Sequence, residues 1–120
     1  MKDIRLGMVE ARFAEIVWQN EPVAIRDLIA MSEKELQWKR TTTYTVLKKL
    51  CDRGILFFEN RVVTSRISKE EFHAIQCEQF VNDTFQGSLP AFLAAFTARK
   101  APSPEEMDEI KKLLDSFGVM

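Results

Sequence analysis

The 120-residue sequence is poor in the residues that mark several protein classes. It has only four glycines, four prolines and two cysteines, which argues against a disordered tail, a collagen-like repeat or a disulfide-stapled mini-protein. No apolar run approaches the ~20 residues that span a bilayer, and the charged start Met1–Arg5 has no apolar signal core behind it. We therefore expect one globular domain with at most an appendage, no membrane insertion, and a cytoplasmic location in which Cys51 and Cys77 are buried or idle thiols.

Motifs of catalysis and metal binding are also missing. The sequence contains no G-x-S-x-G, no Gly-rich phosphate loop, no H-E-x-x-H and no Cys/His metal set. The single histidine, His73, has no cysteine or carboxylate at a spacing that would make it a ligand or a triad member. The sequence therefore predicts a protein that is not an enzyme and needs no cofactor or metal. An enzymatic alternative would require a turnover that depends on His73.

Charge is nearly balanced over the whole chain, with 17 basic and 18 acidic residues, so the net charge predicts no nucleic-acid partner. The distribution is uneven, because residues 1–69 hold 13 Lys/Arg against 9 Asp/Glu, whereas residues 70–120 hold 4 against 9. Within residues 39–69 the count is 8 basic against 2 acidic. A basic segment of this kind is what binding to a polyanion requires, although a charged stretch is more often only a solvated face.

Apolar periodicity predicts two short helices at the start of the chain. Residues 8–18 form the first, and Pro22 cannot continue it. Its single apolar stripe consists of Val9, Phe13, Ile16 and Val17. The second helix, around Ile25–Ile29, lacks a good N-cap, since Ala24 stands where Ser, Thr or Asp is preferred.

A third helix and a hairpin are predicted next. The polar stretch Ser32–Lys39 links into a helix over Arg40–Arg53, and Gly54 is well placed just after its C-cap. Residues 55–67 are rich in aromatic and β-branched side chains and contain one plausible turn, Glu59–Asn60, which predicts two short antiparallel strands. Three helices followed by a hairpin are in the order of a winged helix-turn-helix domain.

The remainder of the chain predicts three more helices. Ser68 opens a capping box before a helix over Lys69–Phe85, and a fifth helix carries Phe92–Phe96. Ser103 opens a second capping box, and Gly118 closes the sixth helix. The predicted fold class is therefore mostly α with a small β-hairpin: a winged helix-turn-helix domain over residues 1–69 and a helical dimerisation region over residues 70–120.

The third helix carries the sharpest functional signal. At about 100° per residue, one side faces the domain core with Thr43, Val46, Leu47, Leu50 and Cys51. The opposite side collects hydroxyls and cations, namely Thr41, Thr45 and Lys48, flanked by Thr42, Tyr44 and Lys49, with Lys39 and Arg40 at the helix entrance. Thr and Tyr can contact base edges while Lys and Arg hold phosphates, so this side suits a groove of DNA. The alternative is an ordinary polar helix surface.

At this point the chain resembles the penicillinase-repressor (BlaI/MecI/CopY) family. Residues 38–56, WKRTTTYTVLKKLCDRGIL, are similar to the family's recognition-helix region, and residues 6–18 to its first helix. Residues 85–89 and 103–110 are similar to its dimerisation region. The resemblance implies a cytoplasmic homodimeric repressor in which each third helix enters the major groove of one half-site of a near-palindromic operator, until an inducing signal releases it.

The resemblance also implies particular site residues. The DNA-reading face falls on Thr41, Thr42, Tyr44, Thr45 and Lys48, together with the phosphate-binding candidates Lys39 and Arg40. Tyr44 stands where relatives often have Gln or Arg, a departure that bears on the preferred base pair. The short hairpin leaves Arg61 as its one basic contact, whereas the family's wing usually has a longer tip with Gly and Arg.

Regulation departs from the family pattern too. Members that respond to β-lactams through a membrane sensor protease are cut in the fifth helix at an Asn–Phe bond, and the corresponding pair here is Ala95–Phe96. The residues leave proteolytic induction open without supporting it. The cysteine cluster of the copper-responsive branch is absent from the sequence, which argues against copper sensing.

The C-terminal third is rich in large apolar side chains. Three short helices cannot close a core alone, so a two-fold partner is expected to bury these residues, although they could instead fold back on the first domain. The predicted dimerisation residues are Phe85, Leu89, Phe92, Phe96, Met107, Ile110, Leu114 and Phe117. The alternative function is a winged-helix module for protein–protein contact, whose binding would not weaken with salt as DNA binding does.

Overall fold

A computed structural model describes residues 6–118 of the protein. Within these residues the chain forms six helices and three short strands, and it divides after Glu78 into two compact units, here called the N-terminal and C-terminal units. The predicted class, a winged helix-turn-helix followed by C-terminal helices, is confirmed. The elements are α1 Met8–Asn20, β1 Val23–Ala24, α2 Ile25–Leu36, α3 Arg40–Asp52, β2 Leu56–Glu59, β3 Val62–Ser65, α4 Lys69–Phe85, α5 Leu89–Thr97 and α6 Pro104–Phe117.

The core of the N-terminal unit is built from the apolar stripes of its helices. Phe13, Ile16 and Val17 of α1 are buried as predicted, but Val9 is 46% exposed because it lies in the first turn, beyond the packed part of the helix. Leu28, Leu47 and Leu50 from α2 and α3 and the strand residues Leu56 and Val63 complete the core. This arrangement ties both helices of the helix-turn-helix to the hairpin.

The predicted polar link Ser32–Lys39 is wrong over most of its length. Helix α2 continues to Leu36, because Leu28, Ser32 and Leu36 recur every four residues on its buried side. Gln37 then ends the helix in the left-handed conformation, with a φ of 58°. The polarity of Ser32 predicts a loop, but the residue lies in the core.

The sheet also differs from the predicted two-stranded hairpin. The two-residue β1, which the sequence analysis did not find, pairs with β3 and gives an antiparallel sheet in the order β1–β3–β2. The turn is not Glu59–Asn60 but Asn60–Arg61, one residue later, and both have a positive φ, of 55° and 63°. A two-residue turn of this kind matches the right-handed twist of the strands, and the Ile25 N–H donates to the Arg61 carbonyl at 2.9 Å.

Helix α4 begins at the predicted cap. The Glu71 N–H donates to the Ser68 hydroxyl at 3.0 Å, and Lys69 forms an ion pair with Glu15 of α1. The Phe72 ring is buried with its centroid 5.3 Å from that of Trp18, whose indole N–H donates to the Ile67 carbonyl. The start of α4 is therefore part of the N-terminal core.

The C-terminal unit has well-capped helices but no closed core. Ser88 caps α5, and Ser103 with Glu106 forms the predicted capping box of α6, whose C-cap is Gly118. Phe92 is the centre of an aromatic cluster, with its ring centroid 5.7 to 6.1 Å from those of Phe80, Phe85 and Phe96. None of the residues 79–118 is buried, so the apolar groups of this unit lie largely at its surface.

The remaining expectations concern membranes and thiols. Among the residues described, no helix is both long and apolar enough to cross a bilayer. Both cysteines are free thiols, Cys51 half-buried and Cys77 exposed. Cys77 is therefore not in the core, because it lies on the outer side of α4.

Two serines should respond to the same substitution with opposite signs. The Ser32 hydroxyl is buried and has no hydrogen-bond partner within residues 6–118, so Ser32→Ala should raise the free energy of unfolding by about 1 kcal/mol. Ser68→Ala removes the α4 cap and should lower it by about 1 kcal/mol. Urea unfolding of both variants at one protein concentration measures the difference, and a destabilised Ser32→Ala would contradict this account.

Candidate nucleic-acid interface

Helix α3 presents its predicted polar side to solvent because its other side is fixed in the core. Thr43, Leu47 and Leu50 are fully buried or nearly so, and Val46 and Cys51 pack against them. The opposite side exposes Thr41, Thr42, Thr45 and Lys48. The division into two faces is as predicted, and the exposed one carries three hydroxyl groups and a cation.

The entrance of α3 is electropositive. Lys39 and Arg40 are exposed, the helix has no acidic residue in its first turn, and no side chain caps its first N–H groups. Backbone N–H groups at a helix N-terminus carry partial positive charge, which adds to that of the two side chains. This end of α3 is suited to a phosphate group.

Tyr44 differs from its neighbours because it is half-buried. Its ring lies between the hairpin and the helix entrance, with the Phe58 ring centroid 6.5 Å away and the Arg40 guanidinium carbon 5.7 Å from its own centroid. Tyr44 thus has a packing role in addition to any contact with a base.

The Thr45 hydroxyl donates to the Thr41 carbonyl at 2.9 Å and keeps its acceptor lone pairs for an outside donor.

The two adjacent lysines of α3 have different surroundings. The Lys48 ammonium lies 3.0 Å from Asp52, and because its side chain is 79% exposed this pair is weak and can be exchanged for a phosphate. The Lys49 ammonium instead lies 2.6 Å from Glu10 of α1. That hydrogen bond lowers the pKa of the Glu10 carboxyl, as do the Gly7 N–H and the positive charges of Lys49 and Arg53. Lys49 is exposed as well, and its ammonium ties α3 to α1.

The hairpin turn brings a third arginine to the same region. Arg61 is exposed at the turn and, with Arg40 and Arg26, lines a groove of about 190 Å³ floored by Ile25, Ile29 and Tyr44. None of its lining residues is acidic, and the Asp27 carboxylate lies 3.7 Å from the Arg26 guanidinium. Sequence reasoning missed Arg26, although a basic residue in the first turn of an uncapped helix was a signal that could have been used.

The predicted dimerisation residues all lie in the C-terminal unit or at the end of α4. Leu89, Met107 and Leu114 are exposed, Phe96 and Phe117 are 68% and 72% exposed, and Phe85, Phe92 and Ile110 are half-buried. Sequence reasoning missed Phe80, which belongs to the same aromatic cluster and is itself exposed. Ala95 and Phe96 are exposed near the end of α5.

Comparison with known proteins identifies the type of protein. The penicillinase repressor family model matches residues 6–116. The chain belongs to the penicillinase repressor family. It is 22% identical to the penicillinase repressor of Bacillus licheniformis over 120 residues, covering 96% of this chain and 94% of that one. It is 18% identical over 118 residues to the methicillin resistance regulatory protein MecI of Staphylococcus aureus, covering 95% and 96%.

Family membership makes this protein a DNA-binding transcriptional repressor and not an enzyme. The described residues hold no cluster of three His, Cys, Asp or Glu side chains that could bind a metal ion. His73 is exposed on α4. Membership in a family of DNA-binding repressors favours DNA binding over the alternative of a winged-helix module for protein–protein contact.

The ion pair that positions α3 in this repressor should depend on pH. Because the pKa of Glu10 is lowered in the folded state, its stabilisation is present at neutral pH and is lost as the pH falls below about 4. Glu10→Gln should reduce the free energy of unfolding at pH 7 by roughly 1 kcal/mol or less, and wild type and variant should converge near pH 3. Urea unfolding at pH 7, 5 and 3 measures this, and a difference that did not change with pH would refute the role of the pair.

Proposed function

We propose that the protein is a homodimeric repressor that acts in the cytoplasm and occupies a near-palindromic operator, with α3 of each subunit in the major groove of one half-site. The observation that carries this proposal is the hydroxyl-and-lysine face of α3, exposed because Thr43, Leu47 and Leu50 fix the opposite face in the core. DNA binding is assigned to residues 1–69 and dimerisation to residues 70–120.

The proposed contacts fall into two groups. Thr41, Thr42, Tyr44 and Thr45 read base edges or the thymine methyl group, since hydroxyl groups and small apolar groups can do both. Phosphates are held by Lys39, Arg40, Lys48 and Arg61, whose side chains are exposed around α3 and the hairpin turn. Phosphate contacts fix the register of the helix, and base contacts select the sequence.

The adjacent lysines of α3 provide a matched test of this arrangement. Lys48→Ala should weaken binding to all duplexes and reduce the slope of log K against log salt concentration by about 0.9, the value for one lost phosphate contact. Lys49→Ala should leave that slope unchanged and lower the free energy of unfolding, because Lys49 binds Glu10. Fluorescence anisotropy with a duplex selected from random sequences by the wild type, at several salt concentrations, gives the slopes.

Two results would contradict the assignment. Equal slopes for wild type and Lys48→Ala would remove Lys48 from the phosphate contacts. A wild-type affinity that did not fall with rising salt would remove the exposed face of α3 from the DNA interface altogether, because counterion release accompanies phosphate binding.

Dimerisation is supported by the surface of the C-terminal unit. Large apolar side chains on α5 and α6 are exposed, and a concentration of exposed apolar groups is typical of an interaction site. A two-fold axis would bury the same residues in both subunits, as in most soluble oligomers. The proposed interface comprises Phe85, Leu89, Phe92, Phe96, Met107, Ile110, Leu114 and Phe117. It would hold two copies of α3 at half-sites about one helical turn, ~34 Å, apart.

Charged substitutions on α6 test the interface. Ile110→Asp with Leu114→Asp should give monomers in sedimentation, with operator affinity reduced at least tenfold because the second half-site is lost. Lys111→Asp adds the same negative charge at one exposed position of α6 and serves as the control that should stay dimeric. A double variant that stayed dimeric would place the interface elsewhere. A wild-type protein that was monomeric would contradict dimerisation itself.

Release of the operator requires an inducing signal. If the signal is a membrane sensor protease or its product, the bond between Ala95 and Phe96 is the expected cleavage site. Both residues are exposed, but they lie within α5, where Thr97 donates to the Leu93 carbonyl at 2.8 Å. A protease needs an extended backbone, so the last turns of α5 would have to open before cleavage.

A further inference from the structure

A groove of about 490 Å³ lies between α3 and β2, and most of the residues that line it have no part in the contacts proposed for DNA. One wall comes from α3, where Tyr44, Lys48 and Cys51 follow one another at helical spacing. The other wall comes from the hairpin and carries Phe57, Phe58 and Arg66. A volume of this size is typical of sites for small organic molecules.

The walls of the groove are mainly apolar and aromatic. Phe58 is exposed and Phe57 half-buried. Burial and the negative charge of Asp52 raise the pKa of the Cys51 thiol, which outweighs the opposing effect of Arg66. Cys51 therefore stays neutral and contributes apolar surface.

Two cations border the apolar walls. The Arg66 guanidinium carbon lies 4.4 Å from the Phe57 ring centroid, in the position of a cation over an aromatic face. Lys48, on the opposite wall, has only its weak exposed pair with Asp52. Aromatic walls with a cation on each side are complementary to a flat apolar molecule that carries a negative charge.

We propose that this groove binds a small aromatic carboxylate, whose ring packs against Phe57 and Phe58 while its carboxylate bonds to both Arg66 and Lys48, and that this binding releases DNA. The second half of the proposal rests on the proposed function of α3. It assigns to the protein a direct route of induction that needs no cleavage of the chain.

The coupling follows from two shared residues. Tyr44 and Lys48 line the groove and belong to the face proposed to bind DNA. A carboxylate bound to Lys48 occupies the ammonium group that would hold a phosphate, and it adds a negative charge where the DNA backbone would lie. Ligand and DNA therefore compete, and by linkage each lowers the affinity for the other by the same factor.

The experiment uses the full chain and 1-naphthoate as the probe, with 1-naphthalenemethanol as its uncharged counterpart. Isothermal titration should give a dissociation constant on the order of 0.1 mM for the acid, the range expected for a ligand of this size. The alcohol should bind about tenfold more weakly, because it lacks the charge-assisted bond. Amide shifts in NMR spectra should be confined to α3, β2 and the region of Arg66.

Two variants locate the site. Arg66→Gln should remove most of the difference between acid and alcohol, while Arg99→Gln, an exposed arginine of the C-terminal unit, should leave it unchanged. Cys51→Met places a longer side chain in the groove and should weaken both probes at least fivefold. Thermal unfolding shows whether each variant is folded. If Cys51→Met does not fold, the result for Arg66→Gln alone tests the location of the site.

Anisotropy with the selected duplex then tests the coupling. Saturating 1-naphthoate should weaken DNA binding at least fivefold, and in Arg66→Gln this effect should disappear. Absence of probe binding, shifts only in α5 and α6, or equal binding of acid and alcohol would overturn the site. Binding in the groove without any change in DNA affinity would overturn the proposal that the ligand releases DNA. Failure of the wild type to bind DNA at all would overturn the proposed function, and the direct titration would then still test the site.

Discussion

The packing of one side of α3 against the hairpin and the first two helices is the constraint on which the rest depends. Thr43, Leu47 and Leu50 leave α3 no freedom to rotate about its axis, since any rotation would expose leucine and bury threonine or lysine. The identity of the exposed side chains is thus a consequence of core packing. The ion pair between Lys49 and Glu10, at the edge of that contact, also restricts the rotation of α3.

The C-terminal unit, unlike α3, is stabilised by helix capping more than by burial in a core. Its helices are well capped, so their ends are satisfied locally, but none of its described residues is buried. Capping contributes about 1 kcal/mol per helix and cannot replace a core. Most helical stability in proteins comes from packing an apolar face, and the exposed faces of α5 and α6 therefore need another surface to cover them. A second copy of the chain offers an identical apolar surface.

Most of the fold could be predicted from the sequence because helical periodicity and capping are local signals. The two sides of α3 and the Ser103 cap are examples. Ser32 could not be placed, because its polarity argued for a loop while its position every fourth residue placed it in the core. The two-residue β1 is too short to leave a pattern, and the arginine groove depends on contacts between elements far apart in sequence. The exposure of Thr41, Thr42, Thr45 and Lys48 could thus be predicted, whereas the half-buried position of Tyr44 and the pair between Lys49 and Glu10 required the tertiary structure.

The surroundings of α3 decide how its face can be controlled. A helix that only presented side chains to DNA would offer no second binding surface through which its DNA contacts could be controlled. Tyr44 and Lys48 are both proposed DNA contacts and both line the groove between α3 and β2, so a small anion in that groove would meet the same two side chains as DNA. Tyr44 is half-buried beside Phe58, and it is therefore placed to contact both a base and a molecule in the groove.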